Sequence, residues 1–277
     1  MSEHAEAAPS SMQRPAGFAR RAVGGLGAVA LDLGQTGREL WSVLLQTLYY
    51  CFRGKREPGA VSYYMYEIGN RSLFFITVVM GFIGMISIYQ AGLQALRILP
   101  DLHLMGATYI SLLIRDSAPT IGAMMLATRV GAGIAAEIGS MVVTEQVDAL
   151  RMCAADPIDY LVKPRFIASI VMSTALLIWS AFVAFVTGML TAYGWFGVTF
   201  ESFMNLSLVR WEDLGTGLCK CITYGAAIPI VAGHAGLSTF GGSEGVGWAT
   251  TRSVVNCCLA VITLDLILSA SSFLLFG

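Results

Sequence analysis

Apolar and polar positions fall into long blocks along this chain, not into the short periods of a soluble fold. Uncharged runs cover residues 72–96 and 166–200, and further runs over 117–136, 221–243 and 253–277 are interrupted only by Arg129, His234 and Asp265. Each is close to or beyond the roughly 20 residues a helix needs to cross about 30 Å of hydrocarbon. The pattern predicts an all-α integral membrane protein with five transmembrane helices, at about 70–96, 112–138, 164–194, 212–236 and 252–276. Helices are required because a chain in lipid must satisfy its own backbone polar groups. The alternating ten-residue pattern of a transmembrane barrel is absent.

Two segments outside the runs are informative. Residues 17–57 lead from a small, polar, Pro-containing stretch at 1–16, expected to be a disordered tail, into the five-span domain at 58–277. Within them Leu40, Trp41, Val43, Leu44, Leu45, Leu48, Tyr49 and Tyr50 give a helix with a broad apolar face, flanked by Arg38, Arg53, Lys55 and Arg56. That reads as an interfacial helix on the cytoplasmic leaflet. A sixth span is the alternative, but Arg38 and Glu39 leave an apolar run of only about 13 residues. The second segment, 144–150 (TEQVDAL), is a charged amphipathic helix set between two membrane-length runs and closed by Asp156-Pro157. A membrane protein driven from one face has use for such a helix at its surface.

Composition agrees: 56% of residues are hydrophobic and 13% charged, with mean hydropathy +0.68, against about a quarter charged in soluble domains. The net charge of −1 decides nothing and gives no reason to expect nucleic acid, but the placement of basic residues does matter. Arg14, Arg20, Arg21, Arg38, Arg53, Lys55, Arg56 and Arg71 precede or open the first span, and Arg151, Lys163, Arg165 and Arg252 share that side if the spans number five. Arg97, Arg115 and Arg210 lie on the other. The positive-inside rule then places the N-terminus in the cytoplasm and the C-terminus outside, which in a bacterial-type inner membrane means the periplasm. The first 20 residues show no apolar core of a secretory signal.

Six cysteines without a CxxC pair and three dispersed histidines predict no metal site, and no P-loop, GxSxG or HExxH is present, so no catalytic residues are expected. The ionisable residues inside the spans carry more, because each is costly in lipid and needs a partner or water. Lys220 and Asp265 lie about 4–5 Å apart in depth at 1.5 Å per residue, which makes an ion pair available. That pair either fixes helix register or takes part in transport. Arg129 and Glu137 lie on the second span, and Arg115 and Asp116 are placed at its outer mouth. Residues 97–111 suggest a short separate helix near the outer surface. Phe74, Val78, Phe82 and Met85 recur at three- and four-residue spacing on one face of the first span. Such a stripe either walls a lipid-sized cavity, with Arg115 and Asp116 as its polar rim, or packs inside its own bundle.

From about Gly59 to Phe276 the chain resembles the MlaE-type permeases, membrane subunits of ABC transporters that move lipids with Mce-domain partners. The resemblance rests on Arg115-Asp116-Ser117-Ala118-Pro119, Arg129-Val130-Gly131, Ala136-Glu137-Ile138-Gly139, the run from Val143 to Leu150, Asp156-Pro157, Pro164-Arg165, Gly245-Val246-Gly247, Ala249 to Arg252 and Leu264-Asp265. The family's usual Arg-Glu-Leu-Gly-Pro departs here at Asp116, Ser117 and Ala118. The resemblance implies a coupling helix between spans two and three that docks in a groove of an ATPase subunit. Thr144, Glu145, Gln146 and Asp148 would supply its polar contacts, and Val147 and Leu150 its buried face. It also implies a second permease copy (homodimer or close heterodimer) enclosing a lipid cavity, two ABC ATPase subunits and an Mce-domain hexamer. This chain would bind no cofactor itself, ATP and Mg belonging to the ATPase partner. The alternative reading is an ion- or proton-coupled secondary transporter using Lys220, Asp265 and Arg129 as a relay.

Overall fold

The computed structural model describes residues 18–53, 59–98, 105–204 and 209–276, and every regular element among them is helical. The tail expected at 1–16 lies outside the described residues. The chain divides into two compact units, Met1–Ser42 and Val43–Gly277. A single helix, α1 (Phe18–Arg53), supplies the described part of the first unit and continues into the second, where Val43 and Thr47 are buried. Large apolar side chains stand exposed on it, Phe52 at 87% and Trp41 at 61%.

Among the described residues, five helical segments are long and apolar enough to cross a membrane: Ala60–Leu96, Gly106–Val143, Ile158–Phe196, Trp211–Leu237 and Gly242–Leu275. The first is α2 (Ala60–Ile98), the third chiefly α7 (Lys163–Phe196), the fourth α9 (Trp211–Leu237) and the fifth α10 (Gly242–Phe276). The second is compound: α3 (Met105–Leu112), α4 (Ala118–Leu126) and α5 (Ala132–Val143) are joined by π-turns at Leu113–Ser117 and Ala127–Gly131. Two short helices complete the order, α6 (Gln146–Met152) after span two and α8 (Phe200–Phe203) after span three.

The helices outrun the apolar windows because polar residues near a membrane surface lose nothing by staying helical. This displaces two expectations. The separate outer helix expected over 97–111 does not form among the described residues; Met105–Leu112 opens span two instead, with Ala107 and Ile110 buried. Arg115 and Asp116 are therefore not at the mouth of that span. Arg115 lies nine residues in from Gly106, about 14 Å along the helix.

Packing centres on α2 against α7 and on α9 between α5, α7 and α10. Ile76, Met80 and Ile88 are fully buried on the α7-facing side of α2. Close approach there depends on Gly84, where an added Cβ would stand 2.4 Å from the Ala184 carbonyl oxygen. Small residues serve helix contact in lipid in this way, since backbone-to-backbone packing replaces the hydrophobic drive available in water.

Candidate functional site

The second span carries its chemistry at its two π-turns. The first holds Arg115 and Asp116, the second Arg129. Pro119 gives a local reason for the first: it has no N–H for the Arg115 carbonyl, so the regular ladder cannot run through this point. The Ala118 N–H bonds back to the Leu113 carbonyl, five residues earlier. At the second turn the Gly131 carbonyl accepts a hydrogen bond from the buried Ser253 hydroxyl of α10 (3.0 Å). Such widened turns re-aim side chains and recur at functional sites.

A polar cluster sits inside the bundle where spans two, four and five meet. Lys220 of α9 is fully buried. Its ammonium pairs with Asp116, lies 2.8 Å from Asp265 Oδ1 and donates to Ser269 Oγ at 2.8 Å. The ammonium thus donates two hydrogen bonds, to Asp116 and Ser269, and meets Asp265 as an ion pair. Asp265 Oδ1 also accepts from the Tyr224 hydroxyl (2.8 Å) and Thr120 Oγ1 (3.0 Å). Gly217, one turn before Lys220, lets α9 reach the π-turn: a Cβ there would stand 2.4 Å from the Ile114 carbonyl oxygen. The expected Lys220–Asp265 neighbourhood is present, joined by Asp116, which the sequence placed at the mouth of span two, and by Thr120, Tyr224 and Ser269, which it did not single out.

Arg115 lies beside this cluster, with Nη1 3.7 Å from Asp213 Oδ1. Asp213 is itself buried, accepting from Ser111 Oγ (3.0 Å) and the Arg210 N–H (3.2 Å) at the start of α9. The side chains of Arg115 and Asp116 keep 38% and 43% of their surface exposed. Arg129 does not join them. It lies nine residues beyond Thr120 on span two, about 14 Å along the helix, so Lys220, Asp265 and Arg129 form no contiguous relay. Glu137 has a different partner: its Oε1 is 2.7 Å from Arg165 Nη2, at an angle too bent for a hydrogen bond. Arg165 is 1% exposed, donates to the Leu161 carbonyl and lies 4.4 Å from the centre of the Tyr64 ring.

At the end of span two the chain reverses through Thr144 and Glu145, with Glu145 in the left-handed region (φ 59°). Helix α6 follows. Val147 is 3% exposed and anchors it to the bundle, Leu150 is half-buried, and Glu145, Gln146 and Asp148 face outward. Asp148 pairs with Arg151 at 3.0 Å on the exposed side. Met152 stands 89% exposed at the end of α6, an apolar outward contact the sequence did not suggest. Beyond it, Asp156 caps the next helix through the Ile158 N–H (2.9 Å) and accepts from the Tyr50 hydroxyl (2.7 Å). That hydrogen bond to a carboxylate, with a smaller contribution from burial, raises the Tyr50 phenol above its ordinary pKa.

The apolar stripe of α2 points away from the bundle. Phe74, Val78, Phe82 and Met85 are 80%, 40%, 59% and 36% exposed, while α7 covers the opposite face. Of the two readings open from sequence, packing inside its own bundle is not what the fold shows. Among the described residues no group of three or more His, Cys, Asp or Glu side chains lies close enough to hold a metal.

The sequence pattern of the family described as permease MlaE matches residues 61–271. A probable ABC transporter permease protein of Synechocystis is 36% identical over 207 residues, covering 74% of this chain and 78% of the relative. The intermembrane phospholipid transport system permease protein MlaE of Haemophilus influenzae is 34% identical over 215 residues, covering 76% and 81%. The chloroplastic protein trigalactosyldiacylglycerol 1 of Arabidopsis thaliana is 34% identical over a shorter stretch, 57% of this chain and 46% of the relative.

Proposed function

This chain belongs to the MlaE permease family, and from that membership and the geometry above we propose that it is the membrane subunit of an ABC transporter that moves lipid between the inner membrane and an Mce-domain partner. Two copies enclose the lipid path, and two separate ATPase subunits bind ATP and Mg and hydrolyse the nucleotide. The observation that carries the reading is α6, a short helix hung between two spans. It is pinned by Val147 and offers Glu145, Gln146 and Asp148 outward. A helix held rigidly to the bundle on one side and polar on the other transmits a push from a docked subunit to spans two and three. No residue of this chain takes part in nucleotide chemistry.

The exposed α2 stripe supports the lipid side of the proposal. A contiguous apolar face is costly in a water-lined path and suited to acyl chains. Photo-crosslinkers at Phe82 or Met85 are expected to capture phospholipid in membranes at least severalfold more often than one at Leu266, which is 71% exposed on α10 and reports ordinary bilayer contact. Equal labelling at all three positions would remove the stripe from the lipid path.

The excess of basic residues on the α6 side supports a cytoplasmic position for that side and a periplasmic one for the C-terminus. A reporter active only in the cytoplasm, fused after Gly277, is expected to be silent. Strong activity there would invert the orientation and detach α6 from any cytoplasmic ATPase.

A further inference from the structure

A second charged site lies about 20 Å along span two from Asp116, towards α6: thirteen residues separate Asp116 from Arg129. There α2, α5 and the start of α7 enclose a pocket of about 560 Å³. Three guanidinium groups line it, those of Arg71, Arg129 and Arg165, against two carboxylates, Glu67 and Glu137. Both carboxylates are taken. Glu67 pairs with Arg71 at 2.6 Å and Glu137 with Arg165 at 2.7 Å. Arg129 is exposed and makes no ion pair or hydrogen bond with any described residue. The Nε of Arg165 is buried without a hydrogen-bond partner, and the hydroxyl of Tyr63 on the pocket wall makes none either. The pocket therefore has one positive charge in excess and unused donors, on segments long and apolar enough to cross a membrane, where an unmatched cation is expensive.

The surroundings say what kind of anion fits. Arg71 stands on the same face of α2 as Phe74, Val78, Phe82 and Met85, at spacings of three, four, four and three residues. From Phe74 to Met85 that face extends about 16 Å, close to the length of a lipid acyl chain. We propose that this pocket binds the phosphate of a phospholipid head group, held by Arg129 and Arg71, with an acyl chain laid along the α2 stripe. The assignment rests on the lipid-transport reading and adds to it a defined head-group site on the α6 side, separate from Arg115 and Asp116. It makes negative phosphate, not head-group size, the feature recognised.

Equilibrium binding to the full-length protein in detergent, without ATPase subunits, separates this site from transport itself. The probes are phosphatidylglycerol and diacylglycerol with the same acyl chains, each measured with and without inorganic phosphate, by native mass spectrometry. Arg129→Gln is expected to weaken phosphatidylglycerol binding about tenfold, the loss of one charge-assisted contact, and to leave diacylglycerol binding unchanged. Gly133→Glu is a second variant that keeps Arg129. Gly133 lies one turn on, lines the same pocket, and its Cβ would meet nothing within 4 Å. Its carboxylate is expected to neutralise Arg129 and weaken binding by a similar factor. Wild-type phosphatidylglycerol binding by both folded variants would overturn the site. So would protection by inorganic phosphate with no phosphatidylglycerol bound, which would make the ligand a soluble anion. Loss of self-association in Arg129→Gln with lipid binding intact would assign the arginine to the second copy instead. If binding behaves as expected and ATP-driven transfer does not occur, the site stands and the transport reading falls.

Discussion

Lys220→Met is expected to cost the folded protein about 3–5 kcal/mol, the usual penalty for removing one partner from a buried ionic cluster. Among the described residues the ammonium is the one cation paired with Asp116 and Asp265, so its loss leaves two carboxylates at one point inside the bundle. The single changes Asp116→Asn and Asp265→Asn leave the lysine one partner each and are expected to cost less. Asp265→Asn is the worse of the two, because that carboxylate also receives Tyr224 and Thr120 and is less exposed, 27% against 43%. Combining all three substitutions removes every charge and is expected to recover most of the loss. Thermal unfolding of the set in nanodiscs gives the cycle directly. Additive losses would show that the groups are uncoupled. Lipid transport by the triple variant separates two roles: recovery with stability means the cluster holds spans two, four and five in register, and its absence in a stable variant means the charges move something.

The second large effect concerns α6. Asp148→Lys and Glu145→Lys are each expected to lower ATPase-subunit co-purification and ATP-dependent transport by tenfold or more, while the protein still inserts and unfolds near its normal temperature. Stability is spared for stated reasons. The Asp148–Arg151 pair is 67% and 63% exposed, and such pairs contribute about 1 kcal/mol or less. Glu145→Lys keeps a side chain of similar bulk in the same left-handed backbone, so the existing strain is unchanged. Full ATPase binding by both variants would take the coupling role away from α6.

The five spans could be read from run length alone, since hydrocarbon thickness sets a length that composition reports. The Lys220–Asp265 pair was readable for the same reason: depth along a helix is linear in residue number. Their third partner was not. Asp116 was placed at the mouth of span two because the polar residues from 97 to 111 hid where the helix begins. Residues Thr120, Tyr224 and Ser269 were hidden for other reasons. For Thr120 it is register, which the π-turns at Leu113–Ser117 and Ala127–Gly131 shift partway along span two; Tyr224 and Ser269 each stand one turn beyond Lys220 and Asp265 on unbroken helices, but carry no charge to mark them in an apolar run. Arg165 counted as a loop cation in the sequence, yet it is buried, because its compensating groups, Glu137 and Tyr64, come from two other spans. The exposure of the α2 stripe was undecidable from periodicity, which reports that a face exists but not what covers it.

The most direct test of the central claim is lipid transfer by the complex reconstituted into vesicles with its ATPase subunits. A fluorescent phospholipid is expected to move to acceptor vesicles or Mce-domain protein only when ATP and Mg are supplied, at the same rate with and without an ionophore that collapses the proton gradient. Transfer driven by a proton gradient alone, with no ATPase subunit present, would contradict it.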